Sequence, residues 1–297
     1  MKGQVRTKHK WIKINTISRM HKVSRLPWVS CCIIALMLFF AIFANLICRY
    51  DPTAGDLGER FMPPFWMVGG KTIHLLGTDG LGRDVLSRLI FGTRISLTVG
   101  FFSVGVAGIL GTLAGILSGF FGRWVDQLIM RVVDTWLSMP PLIFAVFLAM
   151  VLGPGVINLI IVLGLTYWTR YARVIRSEVL SLKERDFVSL ARIAGCSSRK
   201  IMMRHILPNV INSSVVVATL SLGMVIVAEA SLSFLGLGVP PPHPAWGSML
   251  SDALPELIGG RWWQTVFPGI CIMLVVVSLS SFGDWLRVRL DPKLRQI

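Results

Sequence analysis

Long apolar runs, broken by short polar segments, set the rhythm of this chain. Six runs read as helices that cross a membrane: residues 28–47, 95–121, 135–152, 155–168, 210–235 and 263–282. Several windows hold almost no charge over the roughly 18 residues or more that a bilayer core demands of a helix. A helix satisfies its own backbone hydrogen bonds, which lipid cannot do. The fourth run is short in strictly apolar terms, and its helix is expected to continue through Tyr171 and Ile175. Pro140 and Pro141 stand near the start of the third run, either as a hinge or as a tolerated helix start. The pattern predicts an all-α polytopic membrane protein with six transmembrane helices.

Composition agrees. Only 15% of residues are charged and 54% are hydrophobic, where a soluble domain carries about 25% charge. The net charge of +15 invites a nucleic-acid partner. The basic residues collect between the apolar runs and do not interleave with an aromatic surface, so nucleic acid is set aside. Of the 30 Lys and Arg, 23 fall in the amino-terminal tail, residues 122–134, residues 169–209 and the carboxy-terminal tail. That asymmetry predicts cytoplasmic N and C termini. The expected organisation is a basic cytoplasmic tail (1–27), a first span with an extracytoplasmic segment (28–94), a core of five spans (95–282) with a cytoplasmic loop (169–209), and a second tail (283–297). The first span is longer than the apolar core of a cleaved signal and reads as a retained anchor.

The connecting segments differ in character. Asp51-Pro52, Pro63-Pro64 and several glycines give segment 49–94 turns, and Val85, Leu86, Leu89 and Ile90 predict a short amphipathic helix at the interface over 84–94. Asp79, Arg83, Asp84 and Arg88 form either a contact for an outside protein or a local charge network. Gly153-Pro154-Gly155 is a tight turn. Pro240-Pro241-Pro242 and Pro244 exclude a regular helix in segment 236–262. In the second span Gly111, Gly115 and Gly119 repeat at four-residue spacing, which permits close helix approach within a subunit, at a subunit interface or along a pore. The five cysteines imply no disulfide framework. The five histidines (His9, His21, His74, His205 and His243) lack metal-ligand spacing, so no metal site is assigned.

Glu229 is the one ionisable residue read inside an apolar run. A charge there is costly and points to a pathway or gating role, or to an ion pair or hydrogen bond that fixes packing near the outer end of the fifth span. Arg170, Arg173 and Arg176 mark a cytoplasmic helix end, where they set topology and meet anionic lipid.

Segment 169–209 is too long and too patterned for a connector. Phe187, Leu190, Ala191 and Ala194 share a helical face, and Gly195 ends that helix. Ser197 or Ser198 caps a second helix through Ile201, Met202 and Leu207, and Pro208 restarts the chain before the fifth span. Two short helices at an angle make a rigid cytoplasmic knob suited to docking in a groove on a partner.

The sequence DFVSLARIAGCSSRKIMMRHILPN resembles the cytoplasmic coupling motif of permease subunits in binding-protein-dependent ABC importers. That pattern is Glu-Ala-Ala, three residues, Gly, nine residues, Ile, one residue, Leu-Pro. Here Ser189, Leu190 and Ala191 take the first three positions, Gly195 and Leu207-Pro208 match, and His205 stands at the Ile position. The Glu and first Ala are absent. LLGTDGLGRDVLSRLIFGTRISL and EASLSFLGLGVPPPHPAWGSML resemble further stretches of the dipeptide, oligopeptide and nickel permeases, and the resemblance runs from about Pro27 onward.

The resemblance implies a type I ABC importer permease fold in a bacterial inner membrane. It also implies a second homologous permease, two ATP-binding subunits carrying ATP and magnesium, a solute-binding protein outside, and surrounding lipid. Ser189, Leu190, Ala191, Gly195, His205, Leu207 and Pro208 would couple to the ATPases. No Gly-x-x-x-x-Gly-Lys-Ser/Thr loop occurs, so no cofactor is expected on this chain and it is not read as an enzyme. Di- or oligopeptides are the expected substrate, with nickel or another small solute as the alternative. An ion-coupled secondary transporter would want several intramembrane carboxylates. An intramembrane hydrolase would want a nucleophile and base inside the bilayer.

Overall fold

A computed structural model of the chain describes residues 26–290. The basic tail expected over 1–27 therefore lies almost wholly outside the described residues, as do His9, His21 and the last seven positions. The described residues are helical with irregular connections. The helices in order are α1 (Trp28–Ile47), α2 (Val85–Phe121), α3 (Arg123–Leu137), α4 (Pro141–Leu152), α5 (Val156–Lys183), α6 (Asp186–Ile193), α7 (Ser198–Ile201), α8 (Leu207–Phe234), α9 (Trp246–Ala253) and α10 (Trp263–Leu290). Among the described residues four helical stretches are long and apolar enough to cross a membrane: α1, α2, residues 198–234 and α10. The bent pair α3 and α4 makes a fifth if it is one span. The 28-residue α5 also has the length, about 42 Å at about 1.5 Å per residue.

The predicted runs coincide with helices, but several boundaries move. Residues 84–94 are not a separate interfacial helix. They are the first turns of α2, which runs unbroken for 37 residues from its cap, Asp84, to Gly122 at φ 62°. The polar side chains that suggested a break find partners within the fold, so the helix has no reason to stop. The run expected over 135–152 breaks instead into α3 and α4, bent by 92°. Pro141 opens α4, and a proline favours an extended residue before it and the first helical turn for itself. Residues 122–134, expected as a loop, belong almost entirely to α3. The prolines do not exclude helix from segment 236–262: the short α9 starts two residues after Pro244, capped at Ala245, because a proline restricts only its own position and its immediate neighbours. The last helix outruns its expected end at 282 and continues to Leu290.

Packing follows from the small residues of α2. Its most extensive interface is with α5. A Cβ on Gly115 would stand 2.8 Å from the Ala172 carbonyl oxygen and from Ile175 Cβ, and one on Gly119 would stand 2.8 Å from Val179 Cβ. At Gly111 it would run into the Trp168 carbonyl. The glycine repeat is thus an intrachain seam that brings two backbones together without side chains between. The buried apolar residues form a central cluster between α2, α4, α5 and α8, a cluster at the α2 and α5 C-terminal ends, and an outer cluster around Trp246 and Trp263.

Candidate functional site: the 184–209 knob and the buried polar contacts behind it

The knob is built as a rigid unit. Gly195 takes φ 76°, its N–H donates to the Arg192 carbonyl, and the Cys196 N–H donates to the Ala191 carbonyl, both at 3.0 Å. This paired closure satisfies carbonyls that a helix end otherwise leaves open. Ser197 then caps α7, accepting from the Lys200 N–H at 3.4 Å. Pro208 does not restart the chain. A π turn over Met202–Ile206 carries α7 directly into α8, with the Leu207 N–H bonding five residues back to Met202. Proline removes one helical donor and crowds the carbonyl four residues earlier, and the wider turn absorbs that demand. The second knob helix is therefore continuous with a candidate membrane span.

Beneath the knob, Val188, Ala191, Ile201 and Ile206 pack on Ile116 and Phe120 of α2 and on Ile175, Val179 and Leu182 of α5. The Arg192 guanidinium lies 5.7 Å from the Phe120 ring centroid. The expected apolar face of α6 divides in two. Ala191 is buried in this core, whereas Leu190 is 63% exposed and Ile193 84% exposed. Val188, not Leu190, is its inward partner. Ser189, Gly195 and Pro208 are exposed, and His205 and Leu207 are half-buried. The His205 ring stands 6.4 Å from that of Phe187. The structure thus places some of the sequence-predicted residues in the supporting core and others on the outer surface, where Ile193 and Met203 add exposed apolar area.

Two arginines read as topology markers are tied to α3. Arg176 on α5 grips Asp126 through Nε at 2.5 Å and Nη2 at 2.6 Å, and Ser118 Oγ donates to the same carboxylate. Arg173 bonds Asp134 at 2.7 Å. Reading residues 122–134 as a loop concealed these pairs. The two carboxylates are eight positions apart, so a helix there brings both toward one neighbour.

Glu229 is fully buried. Ser96 Oγ on α2 donates to Oε2 at 2.8 Å, and Ser233 Oγ donates to Oε1 at 2.8 Å. Both carboxyl oxygens are satisfied by hydroxyls, and no cation pairs with the group among the described residues. A second charged residue, Arg94, is half-buried on α2. It reaches back to α1, with Nε 2.7 Å from the Ala41 carbonyl, Nη2 3.2 Å from the Ile42 carbonyl and Nη1 3.2 Å from Asn45 Oδ1. In sequence Arg94 falls in a connecting segment, and its spacing on an amphipathic stretch gives no sign of the α1 partner.

The segment between α1 and α2 is an ordered cap. Asp79, Arg83 and Arg88 form the local network that was one of the two readings: Arg83 Nε bonds Asp79 at 2.7 Å and Arg88 Nε stands 3.5 Å from it. Asp84 accepts from the Ser87 N–H at 2.8 Å and from His74 across a 2.9 Å contact with Nδ1. The other imidazole nitrogen stands 3.0 Å from Glu59. His74 and then Lys71 hold the Glu59 carboxyl below the usual carboxylate range. Both imidazole nitrogens are thus engaged by carboxylates.

Comparison with known proteins places this architecture. Residues 111–296 match the family model of the binding-protein-dependent transport system inner membrane component. Residues 19–64 match the N-terminal TM domain of oligopeptide transport permease C. The chain is 43% identical over 260 residues to the di/tripeptide transport system permease protein DppC of Pseudomonas aeruginosa, covering 88% of this chain and 86% of the relative. It is 42% identical over 263 residues to the dipeptide transport system permease protein DppC of Escherichia coli K12, covering 89% and 87%. The corresponding protein of Alkalihalophilus pseudofirmus is 39% identical over 274 residues, covering 92% and 88%.

Proposed function

This chain belongs to the family of binding-protein-dependent transport system inner membrane components, and from that membership we propose that it carries di- or tripeptides across the membrane with a second homologous permease. It is a multi-pass permease subunit of an ABC importer in the bacterial inner membrane and not itself an enzyme. In the proposed topology the six spans are α1, α2, the α3–α4 pair, α5, α8 and α10. Both termini and the knob then face the cytoplasm, as the distribution of Lys and Arg supports.

The complex would hold two ATP-binding subunits beneath the pair of permeases and a solute-binding protein outside. ATP and magnesium would sit on the ATP-binding subunits, where hydrolysis supplies the driving energy. Closure of those subunits would draw the knobs together, and the knobs would tilt the helices to which they are joined. Alternating access of this kind needs a rigid lever. The observation that carries the reading is the construction of the knob: exposed Leu190, Ile193 and Met203 above a packed base that is continuous with α8. Ser189, Leu190 and Gly195 would meet the ATPase groove. Ala191, His205, Leu207 and Pro208 would hold that face in place.

The test is dipeptide uptake and ATP hydrolysis by reconstituted transporter carrying Leu190→Asp or Ile193→Asp. The expected result is an assembled complex that has lost uptake, because a carboxylate replaces exposed apolar contact area without touching the packed base. Full uptake in both variants would remove the docking role from this surface.

A further inference from the structure

One part of the chain outside the bundle sets aromatic side chains against α10, a helix long and apolar enough to cross a membrane. The apolar stretch of α10 from Trp263 to Phe282 covers about 28 Å at about 1.5 Å per residue, close to the roughly 30 Å thickness of a bilayer core, and Asp284 is the first charge beyond it. Phe267 therefore lies about 6 Å, a little over one helical turn, inside the boundary at Trp263. The Trp66 ring, from the cap segment, meets the Phe267 ring edge to face at 6.3 Å and 87°. Trp262 meets Phe267 at 5.9 Å, and Phe65 packs edge-on against Trp66 at 5.1 Å.

These side chains are not covered by the rest of the chain. Phe65 is 48% exposed, Trp66 is 51% exposed and Val68 is fully exposed. They extend outward from the exposed stripe Val266, Ile270, Met273 and Val277 on α10. Some of the backbone donors around the tip are paired within the segment, which lowers the cost of a poorly solvated setting. The Phe65 N–H donates to the Leu75 carbonyl at 3.4 Å, Met67 to Pro64 at 2.9 Å and Gly70 to Met67 at 2.9 Å. Lys71, exposed just beyond the tip, is paired with Glu59 at 3.3 Å. Amphipathic rings favour this boundary, with the ring in the acyl region and the polar edge at the headgroups.

We propose that the Phe65–Val68 tip inserts into the headgroup–acyl boundary of the leaflet facing the cap and anchors that cap to lipid beside α10. On the topology proposed above this is the outer leaflet, but the inference needs only that α10 crosses the bilayer. The tip would hold the cap at a constant height while the bundle moves.

The experiment places a single cysteine at the tip, Val68→Cys, in full-length chain whose five native cysteines are replaced. The chain is assembled with its partner subunits in liposomes and labelled with an environment-sensitive fluorophore. The expected result is blue-shifted emission, strong quenching by lipids bearing a nitroxide near the headgroup, and protection from aqueous iodide. Phe65→Cys gives the same reading if Val68→Cys assembles poorly. Quenching by iodide as complete as for free dye, without lipid quenching, would overturn the proposal. So would protection that develops only when the solute-binding protein is added, since a protein partner would then own the surface.

Discussion

Ser96 on α2 and Glu229 on α8, separated by 133 positions, share a 2.8 Å hydrogen bond in a fully buried setting. Ser233 supplies the matching donor on the other carboxyl oxygen. The pair joins the N-terminal part of α2 to the C-terminal part of α8, and Ser233 anchors the carboxyl from one turn along α8. The geometry has the form of the packing role that was one of the two readings of Glu229.

Substituting this carboxyl separates shape from charge. Glu229→Gln keeps the length and one acceptor, and a seryl hydroxyl can turn to accept from the new amide. We expect normal expression and assembly with lowered uptake. Glu229→Ala leaves two buried hydroxyls without partners, a cost of about 1–3 kcal/mol. Its melting temperature in detergent should fall well below that of the Gln variant. Equal melting temperatures for the two would remove the hydrogen-bonded latch from the account.

Gly195→Asp tests the knob. No atom lies within 4 Å of a Cβ at this position, so added bulk meets nothing inside the chain. The left-handed backbone at φ 76° costs a non-glycine residue about 1–2 kcal/mol, and a charge appears on the exposed face. Membrane subunits should still assemble, while dipeptide-stimulated ATP hydrolysis and uptake are lost together. Normal uptake in this variant would count against the coupling assignment.

The α2–α5 seam makes a prediction about stability rather than coupling. Gly115→Val puts side-chain atoms where the Ala172 carbonyl and Ile175 already stand. Overpacking of this kind costs about 1–3 kcal/mol or more. Folded protein recovered from membranes should drop sharply, whereas Gly105→Val, with nothing within 4 Å of its Cβ, should express normally. Similar yields for the two would mean that the seam tolerates separation.

Acid should loosen the cap through Glu59. Its carboxyl is held below the ordinary range by His74 and Lys71. A depressed folded-state pKa means that its stabilisation is fully present above the unfolded value, about 4.3. It is lost as pH falls through the lower folded-state value. Proteolysis of segment 49–84 in liposomes should accelerate below about pH 4, and Glu59→Gln should accelerate it at neutral pH and flatten the acid dependence. An unchanged pH profile in that variant would exclude Glu59 as the source.

Much of the fold was legible in the chain because lipid imposes a simple code. An apolar run long enough to span must be helical, so α1 was read with its ends correct, α8 to within three residues at each end, and α10 at its start though not at its end, where it continues past 282 to Leu290. The knob was also legible, since Gly195 and Ser197 are local signals whose effect needs no distant partner. What failed were inferences about breaks. Residues 122–134 contain Asp126, Arg131 and Asp134, which look like a connector until Arg173 and Arg176 are alongside. Residues 84–94 look like an interfacial helix until the rest of the cap is folded against them. Pro208 looks like a terminator until a π turn accommodates it.

By itself, then, the sequence determined a helical membrane protein, its apolar spans and a patterned knob, because span length, charge asymmetry and helix-ending residues act locally or through the bilayer. Only the tertiary structure decided which polar groups are partnered. The grip of Arg94 on α1, the pairing of Ser96 with Glu229, the Asp126–Arg176 clasp and the inward choice of Val188 over Leu190 all depend on helices distant in sequence. A polar side chain in or beside lipid is costly without a partner, and no run of residues states where that partner stands.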